Sequence, residues 1–199
     1  MGGNIAGLGF AWNNVLGNLL GLPATCTQQP CACSCPKAYV FLGSTTSDSI
    51  LPDWGHRSEL KSAAITMYSK FVYRNYCTTI YMEATSAQFF AALKDDCTQA
   101  IAFIGEGGGV GAPALVFTDK LILPSEITPN KRGRCLQYAF LGACASTTKF
   151  NSPLLKPMSF PDALKPAQVV GFSQSVPDYK ITELARVQEV IGWSTCCQS

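Results

Sequence analysis

AIAFIGEGGGVGAPALVFTDKLIL, residues 100–123, opens with an apolar run, AIAFIG (100–105), that ends at a glycine. So short a run with glycines after it suits a strand buried on both faces. CLQYAFLGAC (135–144) has the same character. Between them, ALVFTDKLIL (114–123) reads as a hairpin turning at Asp119-Lys120. Two apolar runs separated by this much chain point to neighbouring strands of a parallel sheet, because a parallel sheet carries elements on both faces and its strands become apolar throughout.

Outward from this stretch, strands and helices alternate. KAYVFLG (37–43), TTIYMEA (78–84) and AQVVGF (167–172) complete five main strands. Pro52 and Gly55 act as breakers in a polar loop after the first. Leu60, Ala63, Ala64, Met67 and Phe71 recur at helical spacing after that loop. Thr85 and Gln88 form a T-x-x-Q capping box that starts a second helix through Phe89, Phe90 and Leu93. Asp178 is the expected cap of a last helix carrying Ile181, Leu184, Val187 and Ile191. The order predicts an α/β sandwich of three layers: a mainly parallel sheet, helices on both faces, and a β-hairpin after the third strand. Ligands on such sheets bind beyond the carboxyl ends of the strands. The loops after Gly43, Gly105 and Ala143 therefore form the candidate site, with Glu106 and Cys144 close in space.

The glycine-rich GEGGGVGAP (105–113) is not a nucleotide loop. A dinucleotide fingerprint must open a helix, whereas Pro113 and a β-rich run follow here. No Gly-Lys-Ser/Thr occurs either. These glycines permit tight turns at a site rim. Neither cofactor nor metal is expected: Cys31, Cys33 and Cys35 alternate without C-x-x-C spacing, and no histidine is near.

The chain has 199 residues, enough for one core. Its net charge of +2 gives no broad electrostatic case for nucleic acid. Charged residues are 14% of the chain, and none precedes Lys37. Residues 1–36 thus read as a separate uncharged segment and 37–199 as the folded domain. In the segment, Ile5, Leu8, Trp12, Val15, Leu16 and Leu19 share one helical face opposite Asn4, Gly7, Asn14 and Asn18. Such a helix binds a membrane surface, or docks on the domain or on a partner. Gly2 stands where myristoylation needs it, although Ala6 replaces the favoured Ser or Thr. The terminal CCQS places Cys196 in a prenylation box with Gln198 at an aliphatic position. Of the ten cysteines, Cys77, Cys97, Cys135 and Cys144 are spread through a body of long apolar elements. A body that needs no staples implies free thiols there and a reducing, intracellular setting. Of the two readings of residues 1–36, the membrane one would add association with a membrane surface.

Three blocks resemble the caspase-like cysteine peptidases of clan CD, especially bacterial-type CHAT domains and metacaspase relatives. IAFIGEGGGVGAPALVFTDKLIL resembles the family's strand, His-Gly turn and hairpin. LQYAFLGACAS resembles the strand ending in the catalytic Ala-Cys, and AQVVGFSQSVPD the next strand and its turn into the last helix. The resemblance covers roughly residues 37–192. It implies Cys144 as nucleophile and Gly107 as the glycine whose amide helps bind the oxyanion. The catalytic histidine would fall at Glu106. A carboxylate beside a thiol disfavours the thiolate, whereas an imidazole generates it and then protonates the leaving amine.

His56 is the only histidine and sits in the loop expected after the first strand. It reaches Cys144 only from a non-standard direction. Three functions follow as expectations. The first is a pseudopeptidase that binds or assembles with a protein or peptide partner. The second is an active cysteine endopeptidase using Cys144 with His56 or Glu106 as base. The third is a caspase-like module of a larger effector system. The sequence assigns no peptidase specificity, because it does not place acidic residues such as Asp48, Asp53, Asp119 or Glu106 in a pocket.

Overall fold

Alternating apolar runs and amphipathic helices leave this chain one way to bury its strands, and the computed structural model has that arrangement. It describes residues 33–44, 54–108, 112–127, 135–152 and 155–192. The elements in chain order are β1 (Lys37–Leu42), α1 (Trp54–Tyr73), β2 (Cys77–Met82), α2 (Ser86–Lys94) and β3 (Thr98–Ile104). There follow β4 (Leu115–Val116), β5 (Leu121–Ile122), α3 (Pro124–Ile127), β6 (Tyr138–Gly142), β7 (Phe150–Ser152), β8 (Leu155–Met158), α4 (Phe160–Ala163), β9 (Gln168–Gly171) and α5 (Asp178–Val187). Five strands pair in the order β2-β1-β3-β6-β9, every pair parallel.

The pleat explains the three layers. Successive side chains of a strand point to opposite faces. Ala38, Val40, Leu42, Ala100, Ala102, Ile104, Tyr138 and Phe140 face α1 and α5, meeting Leu60, Ala64, Met67, Phe71, Ile181 and Ala185. Phe41, Ile101, Phe103, Ala139 and Leu141 face the other way, onto Phe89 and Leu93 of α2, Phe117 beside the hairpin, and Phe160. Every residue of β3 and β6 is buried, as strands covered on both faces must be. Truncating Phe103 or Phe71 to alanine would cost about 3–5 kcal/mol. Among the described residues no helix is long and apolar enough to cross a membrane.

The β4–β5 hairpin turns at Asp119-Lys120 as expected, closed by Phe117 N–H to the Lys120 carbonyl at 2.9 Å. Four readings of the sequence need correction. First, α1 begins at Trp54, so Gly55 is no breaker and His56 belongs to a helical first turn rather than a loop. One glycine costs a helix about 1 kcal/mol, which the 20-residue α1 absorbs. Second, α5 is capped by Pro177, whose side chain offers no cap bond, and Asp178 is the first residue of the helix. Third, α5 stops before Ile191, since Gln188 turns extended and the Lys70 ammonium takes the carbonyls of Arg186 and Gln188 at 2.7 and 2.6 Å.

The fourth correction concerns the thiols. Cys97 is bonded to Cys33 and Cys77 to Cys35, with Cα–Cα distances of 5.6 and 5.9 Å. Cys135 is disulfide-bonded too. The pairing follows from the sheet order. β1 lies between β2 and β3, with Lys37 beside both Cys77 and Thr98, so the chain entering β1 passes between the first residues of both neighbours. Gly2, Cys196, Cys197 and the apolar stripe of residues 5–19 lie outside the described residues.

Candidate functional site

Parallel pairing of β3 with β6 fixes what meets at their carboxyl ends. Ile104 is beside Gly142, so the chains leaving both strands emerge together, joined by Gly105 N–H to the Gly142 carbonyl at 3.1 Å. β1 adds the third side, with Gly43 N–H on the Ile104 carbonyl at 2.8 Å. Glu106 is half-buried and held by its backbone. Its N–H donates to the Ser44 carbonyl at 3.4 Å, and its carbonyl accepts from Val116 N–H at 3.1 Å. Gly107 bridges to Leu115.

Gly107 also abuts Cys144. A Cβ at Gly107 would overlap the backbone nitrogen, carbon and oxygen of Cys144. Cys144, Glu106 and Gly107 therefore lie at one end of the sheet. The contact is between backbones, a close approach that glycine alone permits.

Cys144 is half-buried and is the free cysteine among the described residues. Its Sγ–H donates to the Val176 carbonyl at 3.4 Å, and its Sγ accepts from Val176 N–H at 3.3 Å. The next residue, Ala145, has φ of 52°, a left-handed conformation unusual without glycine. It is held there by several bonds. Ala145 N–H reaches the Gln174 carbonyl at 3.0 Å, and Thr147 N–H the Phe172 carbonyl at 2.9 Å. The buried Ser146 hydroxyl donates to the Leu141 carbonyl at 2.9 Å and accepts from Phe172 N–H at 3.1 Å. The 172–176 loop is thus stitched to the turn that carries the thiol.

Val176 and Ser146 were not singled out in the sequence. The signal was available, since β9 is the next parallel strand and its loop must leave at the same end. His56 is placed on α1, and its side chain lies outside the described residues, as do Asp48 and Asp53. Asp119 is committed elsewhere: its carboxylate accepts from the amide and hydroxyl of Ser86 at 2.7 and 2.5 Å.

No family model matches this chain, and no curated protein matches it. The fold stands on its own architecture: an α/β domain with a five-stranded parallel sheet. That architecture is compatible with a caspase-like sandwich.

Proposed function

We propose that this chain is a caspase-like pseudopeptidase, which holds a protein or peptide segment at the carboxyl-end rim without cleaving it. One observation carries the reading: the Cys144 thiol is bonded through both its donor and its acceptor to the backbone of Val176. A peptide carbonyl accepts a hydrogen bond from a thiol but cannot take the proton away, and attack on an amide needs the thiolate. Glu106 stands at the family's histidine position, and Gly107 keeps the close approach to Cys144. The remaining frame suits recognition better than turnover. The Cys33–Cys97 and Cys35–Cys77 bridges support a further proposal, an oxidising compartment, because structural disulfides persist there and are rare in reducing ones.

The test compares the wild type, Cys144→Ala and Glu106→His. Wild type should leave peptides uncut after basic and acidic residues alike, and its Cys144 should react slowly with a thiol-directed probe. Glu106→His should speed that reaction and restore some hydrolysis, since acid–base help is worth about 10²–10⁴-fold. Wild-type proteolysis that vanishes in Cys144→Ala would reject the proposal. If it also vanished in a folded His56→Ala protein, the dyad of Cys144 with His56 would replace it.

A further inference from the structure

We infer that the cleft between α1 and α5 is the docking site for the apolar stripe of this chain's own residues 5–19. The cleft measures about 640 Å³ and is lined on α1 by Ile65, Lys70 and Tyr73 and on α5 and its exit by Arg186, Val187 and Val190. Large apolar side chains stand open around it: Ile65 is 48%, Tyr73 84% and Val187 70% exposed. The floor is firm, since the Lys70 ammonium ties the end of α5 to α1 through two carbonyls. A firm cleft between two helices, with exposed apolar side chains along its walls, is the shape that accepts the apolar face of a third.

The occupant is chosen by where the chain enters. The disulfides fix Cys33 and Cys35 against Cys97 and Cys77, at the amino ends of β3 and β2. Tyr73 on the cleft wall is four residues before Cys77. With Cα atoms about 3.8 Å apart along the chain, Cys35 lies within roughly 20 Å of Tyr73. Residues 20–32 span up to about 45 Å when extended. The stripe of Ile5, Leu8, Trp12, Val15, Leu16 and Leu19 therefore reaches the cleft with chain to spare. It is also uncharged, so nothing in it opposes the mixed lining of Lys70, Arg74, Arg186 and Glu189. The inference is independent of the chemistry at Cys144.

Photo-cross-linking in the full chain tests it. Tyr73, exposed and outside both cores, is replaced by p-benzoylphenylalanine, and the irradiated protein is mapped by mass spectrometry. Cross-links within single molecules to residues 4–20 are expected. Leu16→Glu should lower their yield about tenfold or more, and so should Val187→Asp, which alters an exposed cleft residue. Cross-links that join two molecules would assign the cleft to a second copy and overturn the inference. So would an absence of products with residues 4–20. Loss of the cross-link with flotation on phosphatidylcholine vesicles would give the stripe to a lipid surface instead.

Discussion

At Gly107 a single hydrogen atom faces the backbone of Cys144, and the position leaves no room for a methyl group. Gly107→Ala must push the two loops apart, and such overpacking costs about 1–3 kcal/mol. Chemical denaturation should register that loss, and the reactivity of Cys144 toward a thiol probe should change with it, because the displaced turn carries the thiol. An alanine variant equal to the wild type in both would remove Gly107 from the account of the site. Cys144, Glu106 and Gly107 were legible as neighbours because parallel strands export their following residues to one end. The bonds from Val176 to the thiol were not legible. They depend on how the 172–176 loop folds back over the turn, and backbone donors leave no mark on residue identity. His56 was misread because Pro52 and Gly55 signal a break, while α1 gains enough from burying Leu60, Met67 and Phe71 to start at Trp54.

Helix α2 illustrates how an element is finished by a distant part of the chain. Its capping box was legible from Thr85 and Gln88 alone, and both reciprocal bonds are present. Its second cap was not, since Asp119 arrives from the β4–β5 turn, 33 residues away. Nothing local to α2 marks that carboxylate. The short strands of the β7–β8 ribbon were missed for a related reason: three and four residues carry too little pattern to separate from a loop. Thr85→Ala and Asp119→Ala should each cost about 1 kcal/mol. Desolvation pushes the Asp119 carboxyl up, but the hydrogen bonds it accepts from the hydroxyl and amide of Ser86 and from the backbone of its own turn together hold the group below its usual value. A depressed folded value means that the carboxylate stabilises the fold above its unfolded value, near 3.9, and that this contribution fades as pH falls through the lower folded value. Unfolding curves of wild type and Asp119→Ala should therefore differ most above about pH 5 and converge in acid. A gap that stays constant with pH would exclude the carboxylate as its source.

Across the whole molecule, the core holds the middle of the sheet and the staples hold its amino end. The central strands β3 and β6 are buried throughout, whereas edge strand β2 has no fully buried residue. Burial therefore holds the middle of the sheet more firmly than the edge where β1 meets β2. The amino end supplies other restraints. Asp95 accepts from the Lys37 ammonium at 2.7 Å and from Cys97 N–H at 2.9 Å, and the two disulfides close over the same corner. Composition suggested a body that needs no staples, and pairing among ten cysteines cannot be read from their spacing. Only the strand order, with β1 between β2 and β3, makes Cys33 and Cys35 the partners of Cys97 and Cys77. The bridges join residues 64 and 42 apart, long enough that each restricts the unfolded chain substantially. Each should contribute about 2–4 kcal/mol, or roughly 5–15 °C in Tm. Thermal unfolding with and without a phosphine reductant should show that drop, and Cys33→Ser with Cys97→Ser should reproduce the part due to one bridge. Thiol counting on the unreduced native protein should find Cys77 and Cys97 blocked while Cys144 is available. If instead both react at once and the reductant leaves Tm unchanged, the free thiols expected from composition are the right description, and the oxidising compartment proposed above goes with the bridges.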